Sequence, residues 1–276
     1  LLFKLRFAKF KISNKSVNKQ TKTISLIGAG TYQVSINLPC ALRSNFVVKS
    51  VFTNGSVSSK NIANIFNNVM SIDELSDIPD TDAVLIGSPH NLHPSHLNYF
   101  VKKNNYIYCE KPVAIDFKGL NFLKENVLIH KNGSNIMIGF NRRFAPLIKK
   151  IKKNNYFNNK KLEITYRVNF GQFIKNNLTD EKIGGGRIIG TCCHYVDLIS
   201  YISNSQIIQV SAFGIKNTNG TQNENTFTAI LKLRNGSIAT LIFTSLGNRK
   251  YYSKETIHIS GNGIIAFIND FHTLFI

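Results

Sequence analysis

Tyr106-Ile107-Tyr108-Cys109-Glu110-Lys111-Pro112 places alternating β-formers directly before a charged pair and a proline, which predicts a strand ending at Glu110 and Lys111. Ligands of an open α/β sheet bind outside the carboxyl ends of its strands, so Lys111 would point at whatever is bound. A surface Glu-Lys pair beside a turn uses the same residues. The chain on either side separates the two readings.

Upstream, Thr23 to Ile27 reads as a short apolar strand, Gly28-Ala29-Gly30 as a tight turn and about Tyr32 to Leu42 as a helix. That order is the phosphate-binding unit of dinucleotide folds: glycine lets bare backbone approach a pyrophosphate, and the helix N-terminus supplies free N–H groups. The third glycine of the fingerprint is replaced by Gln33, at a position that serves helix–strand packing rather than phosphate contact. Phe46 to Phe52 predicts a second strand. Where the fingerprint expects an acidic residue for a ribose 2′-hydroxyl, the chain has Thr53-Asn54-Gly55-Ser56, with Ser58, Ser59 and Lys60 behind. No carboxylate stands there to repel a 2′-phosphate, so NAD and NADP are both admitted.

Helices from about Lys60 to Phe66 and Asp73 to Ser76 lead into Ala83 to Ile86, a continuous apolar run of the kind buried in parallel sheets. Gly87-Ser88-Pro89-His90-Asn91-Leu92-His93-Pro94 follows, then a helix from Ser95 to Lys103, the strand quoted first, a helix from Phe117 to His130 and a strand from Asn135 to Gly139. Phe140-Asn141-Arg142-Arg143-Phe144 closes this half. Strand and helix alternate throughout, which predicts a doubly wound Rossmann domain over 21–145.

After Asn154 the rhythm changes. Lys161 to Phe170 reads as a strand and Gly186 to Ile202 as a helix, followed by strands at Ile207 to Lys216, Phe227 to Leu233, Ser237 to Ser245, Thr256 to Ile259 and Ile264 to Ile268. Asn235-Gly236 and Gly261-Asn262-Gly263 are hairpin turn signals. A second, α+β domain with a large, mostly antiparallel open sheet is expected over 146–276, for substrate and dimerisation. Residues 1–20 never settle into a period and are expected to be a linker or the tail of a preceding domain. The chain lacks an initial Met and stops within the apolar run Leu274-Phe275-Ile276, so both ends are expected to be cut.

The 276 residues suffice for one large or two ordinary domains, and 43% hydrophobic content places the chain among globular proteins. No apolar run reaches the roughly 18 residues of a membrane span, and no signal peptide precedes the first strand, which leads us to expect a soluble, cytoplasmic protein. A net charge of +19 invites a nucleic-acid reading, but the basic residues are scattered. The dense cluster Lys149, Lys150, Lys152 and Lys153 falls where a helix ends and cations are favoured, so no nucleic-acid partner is expected. Cys40, Cys109, Cys192 and Cys193 form no zinc-finger or Cys-x-x-Cys spacing, so free thiols and no metal are expected.

Ile27-Gly28-Ala29-Gly30, Ser88-Pro89-His90-Asn91, Glu110-Lys111-Pro112, Gly139-Phe140-Asn141-Arg142-Arg143-Phe144 and Gly184-Gly185-Gly186 running on to His194 occur in the order that resembles the glucose-fructose oxidoreductase, inositol dehydrogenase and rhizopine-type (Gfo/Idh/MocA) oxidoreductases. The stretch from Gly184 to Asp197 looks most like the branch in which this module follows a zinc-type alcohol dehydrogenase domain, which implies a partner domain before Leu1. The resemblance implies hydride transfer between NAD or NADP and a carbon of a sugar, nucleotide sugar or polyol, in a homo-oligomer formed through the C-terminal sheet. It further implies cofactor contacts at Gly28, Ala29, Gly30, Thr31, Tyr32, Thr53, Ser88, His90, Glu110 and Lys111. Lys111 would hydrogen-bond the reacting oxygen, and His194 would move the proton. A helix-core histidine is the plainer reading of His194.

Asn141, Arg142, Arg143, Arg187 and Asp197 are expected around the substrate, where these arginines and Arg167 would suit an anionic group such as a sugar phosphate. The family commonly carries an aspartate four residues before the histidine, one turn away on an ideal helix; here that position is Gly190, followed by Thr191. Asp197 is a possible replacement. The missing acid keeps open a second reading, a cofactor-binding and dimerisation module with little chemistry of its own.

Overall fold

Ile24 to Ile27 are all buried, as a strand covered on both faces must be, and they belong to β1 (Lys22–Ile27) at the centre of a six-stranded sheet. The computed structural model describes residues 21–55, 57–65, 69–103, 105–130, 135–154, 156–158, 160–171, 179–216 and 222–276. The expectation for residues 1–20 therefore lies outside the described residues. Beside β1 run β2 (Phe46–Phe52) and β3 (Met70–Ile72) on one side, and β4 (Ala83–Ile86), β5 (Tyr106–Cys109) and β6 (Ile136–Ile138) on the other. The order β3-β2-β1-β4-β5-β6 is parallel throughout, with α1 (Leu38–Arg43), α2 (Val57–Ile65), α3 (His93–Val101) and α4 (Phe117–Asn126) as crossovers. The sheet reverses direction of travel between β1 and β4, and there a ligand crevice is expected.

Local structure departs from the ideal patterns where side chains intrude. The helix expected from Tyr32 opens with a wide π turn, Gln33–Asn37, before α1. Gln33 is 2% exposed and drives its amide between helix and sheet, donating from Nε2 to Leu85 O at 2.8 Å. The helix expected to run to His130 ends at Asn126, and Leu128 and Ile129 lie exposed beyond it. Strand β3 went unanticipated because three residues carry no readable period.

Following α5 (Pro146–Lys153), the second sheet contains β7 (Glu163–Asn169), β8 (Ile207–Lys216), β9 (Gln222–Leu233), β10 (Ile238–Thr244), β11 (Glu255–Gly261), β12 (Ile264–Asn269) and β13 (Thr273–Phe275). Its order is β13-β12-β11-β7-β10-β9-β8, antiparallel except for the β7–β10 pair. Both turn signals form: Gly236, Asn262 and Gly263 take positive φ of 86°, 57° and 75°. Strand β10 alternates buried positions with exposed or half-buried ones, so one face of the sheet is core. Onto that face packs α6 (Cys193–Ser203), through Tyr195, Leu198, Ile199 and Ile202 against Tyr166, Leu241, Phe243 and Ile257 among others. The opposite face shows Phe213, Ile230, Ile238 and Ile265 to solvent.

Arg142 and Arg143, on the short 3₁₀ turn Asn141–Phe144 that follows β6, join the two halves. Arg142 donates from Nε and Nη2 to the Glu255 carboxylate of β11 at 2.8 and 2.5 Å, and Tyr166 donates to the same carboxylate at 2.5 Å. Arg143 grips Asp197 of α6 with both prongs, Nε to Oδ2 at 2.6 Å and Nη2 to Oδ1. The Glu255 side chain is 5% exposed, so its charge depends on these donors. Removing one partner of a buried pair commonly costs about 3–5 kcal/mol. Arg142→Met should therefore lower the unfolding free energy by about that much in urea titrations, and adding Glu255→Gln should recover a large part; equal stability of Arg142→Met and wild type would show that the pair contributes nothing.

Candidate active site

The carboxyl ends of β1, β2 and β4 meet at one crevice. Gly28 follows β1 with φ of +96° and donates its N–H to Phe52 O at 2.8 Å. A Cβ there would sit 2.7 Å from the backbone of Gly87 and Ser88, so the two strand ends approach as closely as only glycine permits. At Gly30 an added Cβ meets nothing nearer than Gly87 O at 3.9 Å, because this residue faces the crevice itself. The crevice measures about 600 Å³ and is lined by residues 28–30, 52–54 and 87–90 with Leu92, His96, Ile183 and Gly184. Bare backbone before a helical first turn fits the diphosphate of a dinucleotide.

The remaining expected cofactor residues surround this cradle. Tyr32, half exposed, accepts a hydrogen bond from Asn141 Nδ2 at 2.8 Å, linking the first helical turn to the turn after β6; Thr31 beside it is exposed. Thr53 is buried and donates to Ser59 Oγ at 2.8 Å. Ser88 Oγ lies 2.9 Å from His96 Nδ1. His90 Nδ1 lies 2.8 Å from Gly184 O, and Asn91 N donates to Ile183 O, so the loop before α6 is tied to the end of β4. Glu110 accepts from Asn37 Nδ2 and Tyr108 OH at 2.9 and 3.0 Å, which holds it against its own domain.

Lys111 reaches the other way. Its Nζ donates to Gly190 O at 2.7 Å, within a second wide π turn, Ile188–Cys192, that precedes α6. The helix expected from Gly186 is therefore not ideal, and in an i→i+5 turn the four-residue spacing no longer sets Gly190 and His194 on one face. Burial lowers the Lys111 pKa below the usual lysine value, against the opposing pull of Cys193 and Glu110. His194 is 9% exposed, its ring edge-on to Phe140 at 6.2 Å. Burial first, and then the charges of Lys111, Arg142 and Lys254, push its pKa down to about 2. Buried polar atoms are normally paired, yet His194 Nδ1 has no hydrogen-bond partner among the described residues. That nitrogen is buried as well as unpaired.

The substrate residues expected from the sequence divide. Arg142 is engaged with Glu255 of β11 and Arg143 with Asp197 of α6, and Asp197 gives both oxygens to Arg143 rather than orienting His194. Arg187, 6% exposed, sets its guanidinium 4.3 Å from the Phe170 ring centroid. Arg167 lies 5.1 Å over Tyr252. Sequence reasoning passed over Lys254, which follows an irregular Tyr-Tyr-Ser stretch, and Gly87, whose role appears only once Gln33 is placed. His93 opens α3. It is fully buried, with Nδ1 2.7 Å from Pro112 O and Nε2 3.0 Å from Ser88 O, and so fastens the end of β5 to that of β4. A neutral ring donates to only one of those carbonyls, and burial outweighs them to leave a pKa of about 4.

The fold and its glycine-lined crevice define a dinucleotide-binding class of protein, and family comparison agrees. Residues 22–140 match the model described as "Oxidoreductase family, NAD-binding Rossmann fold" (GFO_IDH_MocA), and residues 160–264 match that of the GFO/IDH/MocA C-terminal domain. The chain belongs to the GFO/IDH/MocA oxidoreductase family. It is 22% identical over 194 residues to 1-carboxy-3-chloro-3,4-dihydroxycyclohexa-1,5-diene dehydrogenase of Comamonas testosteroni, covering 67% of this chain and 47% of that protein. The chain thus spans about half the length of the first curated relatives it matches, 47% and 48%. Among solved structures it resembles the WlbA dehydrogenase from Bordetella pertussis in complex with NADH and UDP-GlcNAcA, with a TM-score of 0.76 and 16% identity over 92% of this chain and 80% of that one. A myo-inositol dehydrogenase from Corynebacterium glutamicum ATCC 13032 gives a TM-score of 0.75 at 21% identity, over 91% and 75%. Among the described residues no helix is long and apolar enough to cross a membrane.

The buried histidines couple this site to acid stability. Burial holds His96 at a pKa of about 4, below its unfolded value near 6.5. A lowered histidine pKa means that the unfolded chain binds the proton first, so its contribution is complete above about pH 6.5 and is lost as pH falls toward 4. Between pH 7 and pH 5 the loss is about 2 kcal/mol for this residue. His96→Asn keeps an acceptor for Ser88 Oγ without titrating. Denaturant melts at the two pH values should show a stability difference smaller by about 2 kcal/mol in the variant; an unchanged difference would rule out a neutral buried His96.

Proposed function

We propose that the chain transfers hydride between a nicotinamide dinucleotide and the carbinol carbon of a sugar, nucleotide sugar or polyol. The observation that carries this reading is that the glycine cradle after β1 and Lys111 after β5 stand at the carboxyl ends of one sheet with β4 between them, and Lys111 is hydrogen-bonded into the very turn that leads to His194. Residues 21–145 would bind the cofactor, and 146–276 would supply substrate contacts and an oligomer surface on the exposed apolar face of the second sheet, in a cytoplasmic homo-oligomer. NAD and NADP both suit the carboxylate-free Thr53-Asn54 end of β2.

The bound nicotinamide would take up or supply the hydride. Lys111 donates a hydrogen bond to the substrate oxygen and stabilises negative charge there, exchanging its Gly190 O contact for the ligand. His194 takes the hydroxyl proton in the oxidative direction and returns it in reduction. Its orphaned Nδ1 is suited to that contact, although three nearby cations oppose the imidazolium. This opposition favours the second reading, a cofactor-binding module of reduced activity, and no carboxylate at Gly190 or Thr191 offsets it.

Calorimetry should show NAD(H) or NADP(H) binding that Gly30→Leu abolishes, since a branched side chain would fill the crevice where backbone meets phosphate; a well-folded wild type that binds neither nucleotide removes both readings. Lys111→Met should abolish turnover with cofactor affinity unchanged within a few-fold. His194→Ala should cost about 10²- to 10⁴-fold in kcat if it moves the proton. Wild-type-like turnover in His194→Ala, measured on any accepted sugar, would refute the proton role. Should Gly190→Asp gain activity where the wild type has none, the chain is the degenerate module.

A further inference from the structure

A chain of amides runs from the end of β4 to the tip of β5. Leu85 O is a backbone carbonyl and can only accept, so the Gln33 amide must turn Nε2 toward it, at 2.8 Å. Gln33 Oε1 then faces Asn37, which must donate in its turn, and Asn37 Nδ2 does so at 2.8 Å. The same nitrogen also donates to Glu110 Oε1 at 2.9 Å. Both N–H groups of the Asn37 amide are therefore in use, and the amide cannot turn over without setting Oδ1 against two acceptor oxygens. Tyr108 OH donates to the same Glu110 oxygen at 3.0 Å. Gly139, after β6, leaves room for this arrangement: an added Cβ would lie 3.0 Å from Glu110 Oε2 and 2.7 Å from Tyr108 OH. Glu110 is thus fixed between the π turn Gln33–Asn37, its own strand and the end of β6.

The place of Glu110 in the sheet gives this fixing a consequence. The cradle at Gly28 and Gly30 follows β1, and the tip of β5 stands two strands along, about 10 Å away at the usual strand spacing. A dinucleotide with its diphosphate on the cradle extends across the strand ends over that distance. Side chains alternate along a strand, so Lys111 departs toward Gly190 O while Glu110 faces the π turn. Neither Gln33 nor Asn37 lines the crevice, so their effect on a nucleotide passes through Glu110. We propose that Asn37 is a positioning residue for the cofactor: its amide holds Glu110 at the tip of β5, so that the nicotinamide half of the dinucleotide meets a fixed carboxylate beside Lys111. This rests on the oxidoreductase reading and adds to it a residue outside the crevice. When Glu110 is free to swing, the binding-competent arrangement is populated only in part, and apparent affinity falls by that fraction. Contacts of the adenosine diphosphate half lie on the cradle side and do not depend on it.

The test is calorimetric binding of NADH, NADPH and ADP to wild type, Asn37→Asp, Tyr108→Phe and a Ser35→Asp control, which adds the same charge on the exposed side of the same turn. Asn37→Asp keeps the size of the side chain and replaces the donor by an acceptor that repels Gln33 Oε1 and Glu110. It should weaken whichever reduced dinucleotide the wild type binds by about tenfold or more and leave ADP within about twofold. Tyr108→Phe, which removes one donor and keeps the ring, should shift the dinucleotide in the same direction by less, and Ser35→Asp should change neither ligand. Where ADP binds too weakly to titrate, the fluorescence anisotropy of the saturating reduced nucleotide decides: it should fall in Asn37→Asp, and an anisotropy equal to wild type overturns the inference. Equal weakening of dinucleotide and ADP makes Asn37 a packing residue only and also overturns it, as does wild-type affinity in both Asn37→Asp and Tyr108→Phe. If Asn37→Asp fails to fold, Tyr108→Phe alone carries the test, and an unchanged dinucleotide affinity there refutes the positioning role. In each of these cases nucleotide binding by the wild type keeps the oxidoreductase reading intact, whereas a wild type that binds neither NADH nor NADPH removes that reading and the inference with it.

Discussion

Two adjacent arginines on one short turn must each satisfy a carboxylate on a different element of the second sheet's layer, Arg142 on β11 and Arg143 on α6. Neither carboxylate is well exposed to water, so each depends on its fork of N–H donors. Because α6 carries His194 at its start and the turn follows directly from β6, the same two pairs set the distance from the cofactor crevice to the proposed proton carrier. Lys111 adds a third tie, across to Gly190 O. The cleft between the halves is thus pinned at several points by polar contacts, around an otherwise apolar core.

That arrangement also shapes the electrostatics. Arg142 must be near Glu255 to join the domains, and this brings a guanidinium close to His194. Burial is the largest cause that opposes an imidazolium there, followed by Lys111, Arg142 and Lys254. The structural requirement and the chemical one therefore conflict at His194.

The layout of the fold was legible because it rests on period and punctuation. Ala83–Ile86 carries four apolar residues in a row, the Asn262-Gly263 hairpin needs positive φ, and Gly28 must leave room for a crossing strand end, each a local demand written in residue type. The motif stretches likewise placed Lys111 and His194 at the junction of the two halves. Less legible were features set by side chains far apart in sequence. No local pattern shows that Arg142 would find Glu255 more than a hundred positions later, so arginines that read as substrate contacts proved to hold the domains together. Nor does a 3.6-residue period register the π turns at Gln33–Asn37 and Ile188–Cys192, where one buried amide and one lysine contact accompany the widened backbone.

Gln33 and Gly87 have become mutually dependent. The Gln33 amide fills the place where a Gly87 side chain would begin, with Oε1 2.6 Å from that Cβ position, and it is anchored there by Leu85 O and Asn37. Any side chain at 87 forces the amide out and breaks those bonds, whereas a glycine at 33 would open the space and strand Leu85 O. The order of substitution then matters: position 33 must shrink before position 87 can grow. A lineage that acquired the glutamine would be confined to glycine at the neighbouring strand end, and its cofactor loop would diversify only along paths that first undo that exchange.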